Sequence, residues 1–265
     1  MNAAATNTTR GAGAASGPAL ATRALSKRFG SLEVARGIEL NLPVGARYAL
    51  IGPNGAGKTT LLNLITGMLS PNIGQIFLGD EDITALEPQE RVRRGLARTF
   101  QINTLFAGLN ALEAVTLAVM ERRGLAGEFW RNISVHREAI EEAHNILVRL
   151  RLGEACYQPT RELPYGRQRL LEIALALATR PKVLLLDEPA AGVPPEESGD
   201  IFEAVARLSG DLTLLFIEHD MHVVFRFASH IIVMVGGAVF TQGSPAEIAA
   251  DPKVREVYLG TRKHG

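Results

Sequence analysis

A single cysteine, Cys156, in a chain of 265 residues excludes an intrachain disulfide framework and a cysteine-rich metal site, and fits a reducing compartment. Cys156 itself is expected to be a small buried filler. Neither sign of charge is in excess: 28 Lys and Arg balance 28 Asp and Glu. No net field therefore draws the chain toward nucleic acid or an anionic membrane surface. Long apolar runs are also missing. The longest, around residues 183–186 and 231–235, are strand-sized and far short of the ~20 residues a membrane helix needs. Residues 1–22 carry one charged side chain, Arg10; without a continuous apolar core they match no secretory signal, and residues 1–19 read as a flexible leader.

What is present is an ordinary globular composition, 46% hydrophobic and 21% charged, enough for one large domain with a subdomain. Apolar and polar residues alternate over residues 24–29 and 38–42, as in half-buried antiparallel strands. An apolar stretch, Tyr48-Ala49-Leu50-Ile51, runs into Gly52 as a buried strand entering a turn. Helical spacing follows over residues 58–68 and a short strand over 75–78. Residues 86–161 read as mostly helical, most clearly at 111–121 and 137–152. Strand and helix then alternate: helices at 168–179, 196–208 and 221–228, strands at 183–186, 212–217 and 231–235. This predicts an α/β fold with a mostly parallel sheet, an N-terminal antiparallel β portion and an inserted helical subdomain at about 86–165.

Gly52-Pro53-Asn54-Gly55-Ala56-Gly57-Lys58-Thr59-Thr60 matches the phosphate loop G-x-x-x-x-G-K-[ST] between a strand and a helix, the context that motif requires. Its glycines let backbone N–H groups curl inward toward phosphate oxygens, and the helix N-terminus adds positive potential. Lys58 is placed to reach the β- and γ-phosphates of ATP, and the Thr59 hydroxyl to ligate Mg²⁺. Val183-Leu184-Leu185-Leu186-Asp187-Glu188 delivers two adjacent carboxylates to the C-terminal end of a buried strand, where open α/β sheets bind ligands. Strand alternation would turn Asp187 toward the metal and Glu188 toward an attacking water.

Those two elements alone fit many ATPases, GTPases and kinases. Further strings decide among them: Leu163-Pro164-Tyr165-Gly166-Arg167-Gln168-Arg169, Thr99-Phe100-Gln101, Ala191-Gly192-Val193-Pro194 and Ile217-Glu218-His219-Asp220. With the phosphate loop and the paired acids, these stand in the order of the signature, Q-loop, D-loop and switch of the ATP-binding-cassette (ABC) ATPases, and the chain resembles that family from about residue 20 to 260. Residues 261–265 read as a tail. The resemblance implies an adenine-stacking aromatic at Phe29, a γ-phosphate sensor and Mg²⁺ ligand at Gln101, and a switch histidine at His219. It also implies that Tyr165 and Gly166 present backbone N–H groups to nucleotide. Physically, an amide carbonyl such as that of Gln101 can bind Mg²⁺ or water, and an imidazole such as that of His219 can hydrogen-bond a phosphate oxygen or orient water.

Pro189-Ala190-Ala191-Gly192, Ile217-Glu218-His219-Asp220-Met221 and Tyr258-Leu259-Gly260 are similar to the branched-chain amino acid importer branch, whose relatives carry urea, amides or aromatic acids. The lipopolysaccharide-export ATPase shares part of these strings. A non-transport cassette ATPase is disfavoured, because the chain has one phosphate loop and no sustained heptads, and a phosphate-loop kinase is disfavoured by the signature. The implied partners are a second cassette, expected to be a paralogue, two transmembrane permeases and, indirectly, a periplasmic or secreted solute-binding protein, with no nucleic acid. The implied location is peripheral, on the cytoplasmic face of the plasma membrane. Ile102-Asn103-Thr104-Leu105-Phe106 would receive a permease helix. Against the family pattern, Pro164 replaces a serine, Arg167 a glutamine and Pro194 an aspartate, so the half-site lent to a partner is expected to be weaker than the chain's own.

Overall fold

Alternating burial along residues 38–42, with Ile38, Leu40 and Leu42 inward and Glu39 and Asn41 outward, is the end of a longer strand. In the computed structural model, which describes residues 17–99, 108–125, 136–208 and 210–260, β1 (Leu20–Phe29) and β2 (Leu32–Leu42) pair antiparallel. The alternation of β1 breaks at Ala24, whose positive φ of 48° accompanies a register shift between Thr22 and Leu25. That break is why only the second half of β1 is legible as a strand. With β4 (Ile73–Leu78) and β5 (Glu81–Asp82) they form a four-stranded antiparallel sheet in the order β2-β1-β4-β5.

The second sheet holds six strands. β3 (Arg47–Ile51), β6 (Leu96–Arg98), β7 (Val183–Asp187), β8 (Thr213–Ile217) and β9 (His230–Val235) run parallel, and β10 (Ala238–Gly243) closes one edge antiparallel. The order is β10-β9-β3-β8-β7-β6. Both faces are covered, so the central strands read as continuous apolar runs. Leu50, Leu185, Leu215 and Ile232 cluster with the antiparallel sheet and with Leu61, Leu62 and Ile65 of α1 (Lys58–Thr66). Their neighbours Ala49, Leu184, Leu186, Phe216 and Ile231 join the helical side instead. Each such aliphatic side chain contributes about 1.5–3 kcal/mol on burial.

Within the span expected to be mostly helical lie α2 (Pro88–Arg94), α3 (Ala111–Arg122) and α4 (Arg137–Arg149), but also β6, which at three residues is too short to show a period. The helices α3 and α4 pack with α5 (Tyr165–Ala178) through Val115, Val119, Ala143, Leu147 and Ile173, and Cys156 is buried among them at 1% exposure. One carboxylate ties this group together. Glu142 of α4 accepts from Arg122 at 2.8 Å, Arg123 at 2.7 Å and Arg180, just beyond α5, at 2.8 Å. Burial alone would raise its pKa; the three guanidinium donors hold it at about 2. After α6 (Pro195–Ala206), α7 (Met221–Phe227), α8 (Pro245–Ala250) and α9 (Pro252–Gly260) complete the order. Among the described residues no helix is long and apolar enough to cross a membrane.

Candidate active site

The parallel sheet ends where chemistry is expected. β3 leads into the loop of residues 52–57 and directly into α1. Gly57 adopts φ +96°, and a Cβ there would lie 2.7 Å from the Val34 carbonyl oxygen, so the loop can back onto β2 only with glycine. No atom lies within 4 Å of a Cβ built on Gly55, leaving that side of the loop open, while Ala56 plugs the core. Lys58 is 7% exposed and curls back over the loop, its Nζ donating to Gly52 O at 2.8 Å and Pro53 O at 3.2 Å. Burial lowers its pKa, and the charges of Glu188 and Asp187 oppose that shift. Thr59 is exposed, Thr60 half-buried and Asn54 exposed, so the first turn of α1 presents hydroxyls beside the open face.

Asp187 ends β7, half-buried. Arg98, at the end of β6, donates to Asp187 Oδ2 at 2.5 Å and to Asn63 Oδ1 at 2.7 Å. Asn63 lies one turn beyond Thr59 on α1, so Arg98 ties together the phosphate-loop helix and two strand ends. Sequence reasoning missed this residue, because the three-residue strand it closes shows no period of its own.

Glu188 departs from the expected alternation. It lies outside β7 with φ +48°, a left-handed conformation costing about 1–3 kcal/mol that persists only when its surroundings impose it. Its N–H donates to Ile217 O at 3.1 Å, and its carbonyl accepts from Ala191 N at 3.0 Å. The left-handed turn, not the pleat, aims its side chain. The carboxylate meets His219: Glu188 Oε1 and His219 Nε2 are 2.7 Å apart, both about half exposed. His219 is steadied from below, because Asp220 caps α7 by accepting the His222 N–H at 2.8 Å.

A cavity of about 370 Å³ opens between these groups, lined by Thr59, Arg98, Asp187, Glu188, Arg169 and Glu172. Arg169 and Glu172, on the signature helix α5, form a buried pair at 2.9 Å, and Arg169 also donates to the Tyr165 hydroxyl at 2.6 Å. The Tyr165 ring packs on Gly192, where a Cβ would sit 3.1 Å from Tyr165 Cε1. Tyr165 and Gly166 do not line this cavity, and Pro164 and Arg167 are exposed. Phe29 stands apart at the end of β1, 51% exposed, with Lys27 Nζ 5.4 Å from its ring centroid. Gln101 and residues 102–106 lie outside the described residues.

The donor set fits a nucleotide triphosphate with a divalent ion. The Thr59 hydroxyl and the carboxylates of Asp187, its Oδ1 clear of the Arg98 bond, and Glu188 line one cavity, and the buried Lys58 at the head of the same helix lies close enough to feel both acids. Residues 35–191 match the family model described as ABC transporter. The chain belongs to the ABC transporter ATPases. Residues 239–264 of this cassette also match the model described as branched-chain amino acid ATP-binding cassette transporter. Its relatives include the high-affinity branched-chain amino acid transport ATP-binding protein BraF of Pseudomonas aeruginosa, 39% identical over 92% of this chain and 98% of that one. The LivG protein of the same description from Escherichia coli is 38% identical over 92% and 98%. A solved ATP-binding cassette of an ABC transporter superposes with TM-score 0.80 at 34% identity, covering 91% of this chain and 98% of that one; a nucleotide-free cassette gives 0.79, also at 34% identity, over 90% and 98%. The cassette is thus an ABC ATPase.

Proposed function

We propose that this cassette binds ATP and hydrolyses it to drive uptake of branched-chain amino acids or related small polar solutes. The observation that carries the catalytic part is the 2.7 Å pairing of Glu188 with His219, next to Asp187 on the cavity wall and near enough to Lys58 for its charge to be felt. Lys58 and the loop N–H groups bind the β- and γ-phosphates. Glu188 takes the proton of the attacking water as general base, and His219 orients that water or holds a γ-phosphate oxygen. Thr59 and Asp187, with Gln101, would hold Mg²⁺, which when bound neutralises charge developing on the phosphates. Phe29, about half exposed, stacks adenine.

The same reading assigns Tyr165 and Gly166, by the family resemblance of residues 163–169, to the nucleotide of a second cassette. That second cassette is a paralogue in our reading. Two permeases receive the motion at the cytoplasmic face of the membrane, and a solute-binding protein feeds them. Branched-chain import is supported by the family of residues 239–264 and by what the relatives are described as transporting.

Two substitutions test the catalytic reading in the assembled transporter. Lys58→Ala is expected to abolish ATP turnover. Glu188→Gln is expected to keep ATP binding and lower hydrolysis 10²- to 10⁴-fold, about 3–5 kcal/mol of barrier. Hydrolysis by the Glu188 variant above about a third of the normal rate removes the base assignment.

A further inference from the structure

The left-handed turn at Glu188 is followed by Pro189, and such a backbone holds only where neighbouring contacts over-determine it. Three hydrogen bonds close it. Glu188 makes two, through its own N–H to Ile217 O and its carbonyl from Ala191 N–H. The third comes from the neighbouring strand end, where the Ala190 N–H donates to Glu218 Oε1 at 3.2 Å. The other oxygen of that carboxylate, Oε2, accepts the His219 N–H at 3.3 Å. Glu218 is 6% exposed, and the charges acting on it are those of Glu188 and His219.

A buried carboxylate with no salt bridge among the described residues is costly to keep, and burial accordingly raises the Glu218 pKa, with Glu188 acting in the same direction and the two backbone N–H groups and His219 against it. The strand that leads into it is buried throughout, so an apolar residue would satisfy packing there. What an apolar residue would not supply is an acceptor for each of two backbone N–H groups, one in the turn carrying Glu188 and one in the residue carrying the imidazole.

We propose that Glu218 is a positioning residue for hydrolysis: its carboxylate clamps the turn after Glu188 to the switch histidine and holds the Glu188–His219 pair in register. The clamp makes no contact with the phosphate loop among the described hydrogen bonds, so its loss falls on turnover and spares nucleotide binding. The proposal rests on the reading of Glu188 as general base.

The test compares Glu218→Ala, Glu218→Asp and Glu218→Gln with Glu188→Gln in the assembled transporter, measuring kcat and KM for ATP together with the melting temperature of each. Glu218→Ala is expected to lower kcat 10- to 100-fold with KM within threefold. Glu218→Gln, whose carbonyl still accepts from Ala190 while its amide nitrogen cannot accept from His219, is expected to recover kcat to within about fivefold of the native value. Glu218→Asp keeps the charge but shortens the reach by one methylene, and is expected to lose kcat at least fivefold; it stands in if the alanine variant does not fold. A kcat within threefold of native for alanine (for aspartate, if alanine does not fold), a KM rising in parallel with the kcat loss, or a glutamine variant no better than alanine or aspartate overturns the clamp. If Glu188→Gln itself retains hydrolysis, the base assignment falls; if Glu188→Gln is inactive while the Glu218 variants turn over normally, only the clamp falls.

Discussion

The Arg98 guanidinium shares its two terminal nitrogens between Asp187 and Asn63, so the carboxylate assigned to the metal is already paired with a cation, at side-chain exposures of 10% and 23%. Removing one partner of a largely buried pair costs 3–5 kcal/mol when solvent is excluded, and the residual exposure here discounts that to roughly 2 kcal/mol. Arg98→Ala is therefore expected to lower the urea midpoint by an amount worth about 2 kcal/mol, with Mg²⁺, added together with nucleotide, recovering part of it as the source of positive charge at Asp187. Arg98→Lys should fall between the two, since one ammonium does not match the fork that reaches both partners. Equal midpoints for native and Arg98→Ala chains would remove the pair from the stability of this site.

Acid should loosen the helical layer through Glu142. Its folded pKa of about 2 lies below the ordinary 4.5, so its contribution is fully present above about pH 5 and is lost as pH falls toward 2. Urea unfolding of native and Glu142→Gln chains should differ most at pH 6, and the gap should shrink steadily through pH 4 and pH 3 toward pH 2. A gap that stays constant across that range contradicts the assignment.

Gly192 couples the D-loop to the signature. With φ +77° and the Tyr165 ring 3.1 Å from a prospective Cβ, Gly192→Ala should cost about 1–2 kcal/mol. Tyr165→Ala in the same chain should relieve the steric part and leave the backbone part. A Gly192→Ala chain with an unchanged melting temperature would show that the loop moves aside freely.

The half-site this chain lends away should be the weaker one. By the resemblance Pro164 stands where the family has a serine and offers neither hydroxyl nor N–H, so up to two charge-assisted hydrogen bonds of about 1.5–3 kcal/mol each would be missing from a partner's site. Glu188→Gln in this chain should then depress ATP turnover of the transporter more than the equivalent substitution in the partner cassette. Equal depression by the two would mean that both sites work alike.

The fold class and the outline of the site were legible because their signals are local. A phosphate loop needs glycines at fixed spacing, and a strand buried on both faces needs a run such as Val183-Leu184-Leu185-Leu186. What escaped was set by tertiary partners. The length of β1 is hidden by the irregularity at Ala24, and β6 is defined only by pairing to β7. What aims Glu188 was not legible, because strand alternation stops at Asp187, where the bonds to Ile217 and Ala191 take over. Arg98 and Glu218 are ordinary charged residues in the sequence; their roles emerge only when β6, β7 and β8 lie side by side.

The burial of Cys156 turns the native chain into its own clock. A thiol reagent finds no other sulfhydryl, and this one is 1% exposed within the packing of α3, α4 and α5. Modification therefore proceeds only as fast as that layer opens. The labelling rate, followed with and without nucleotide, reports the breathing of the helical layer separately from the sheet, with no engineered probe and no background to subtract.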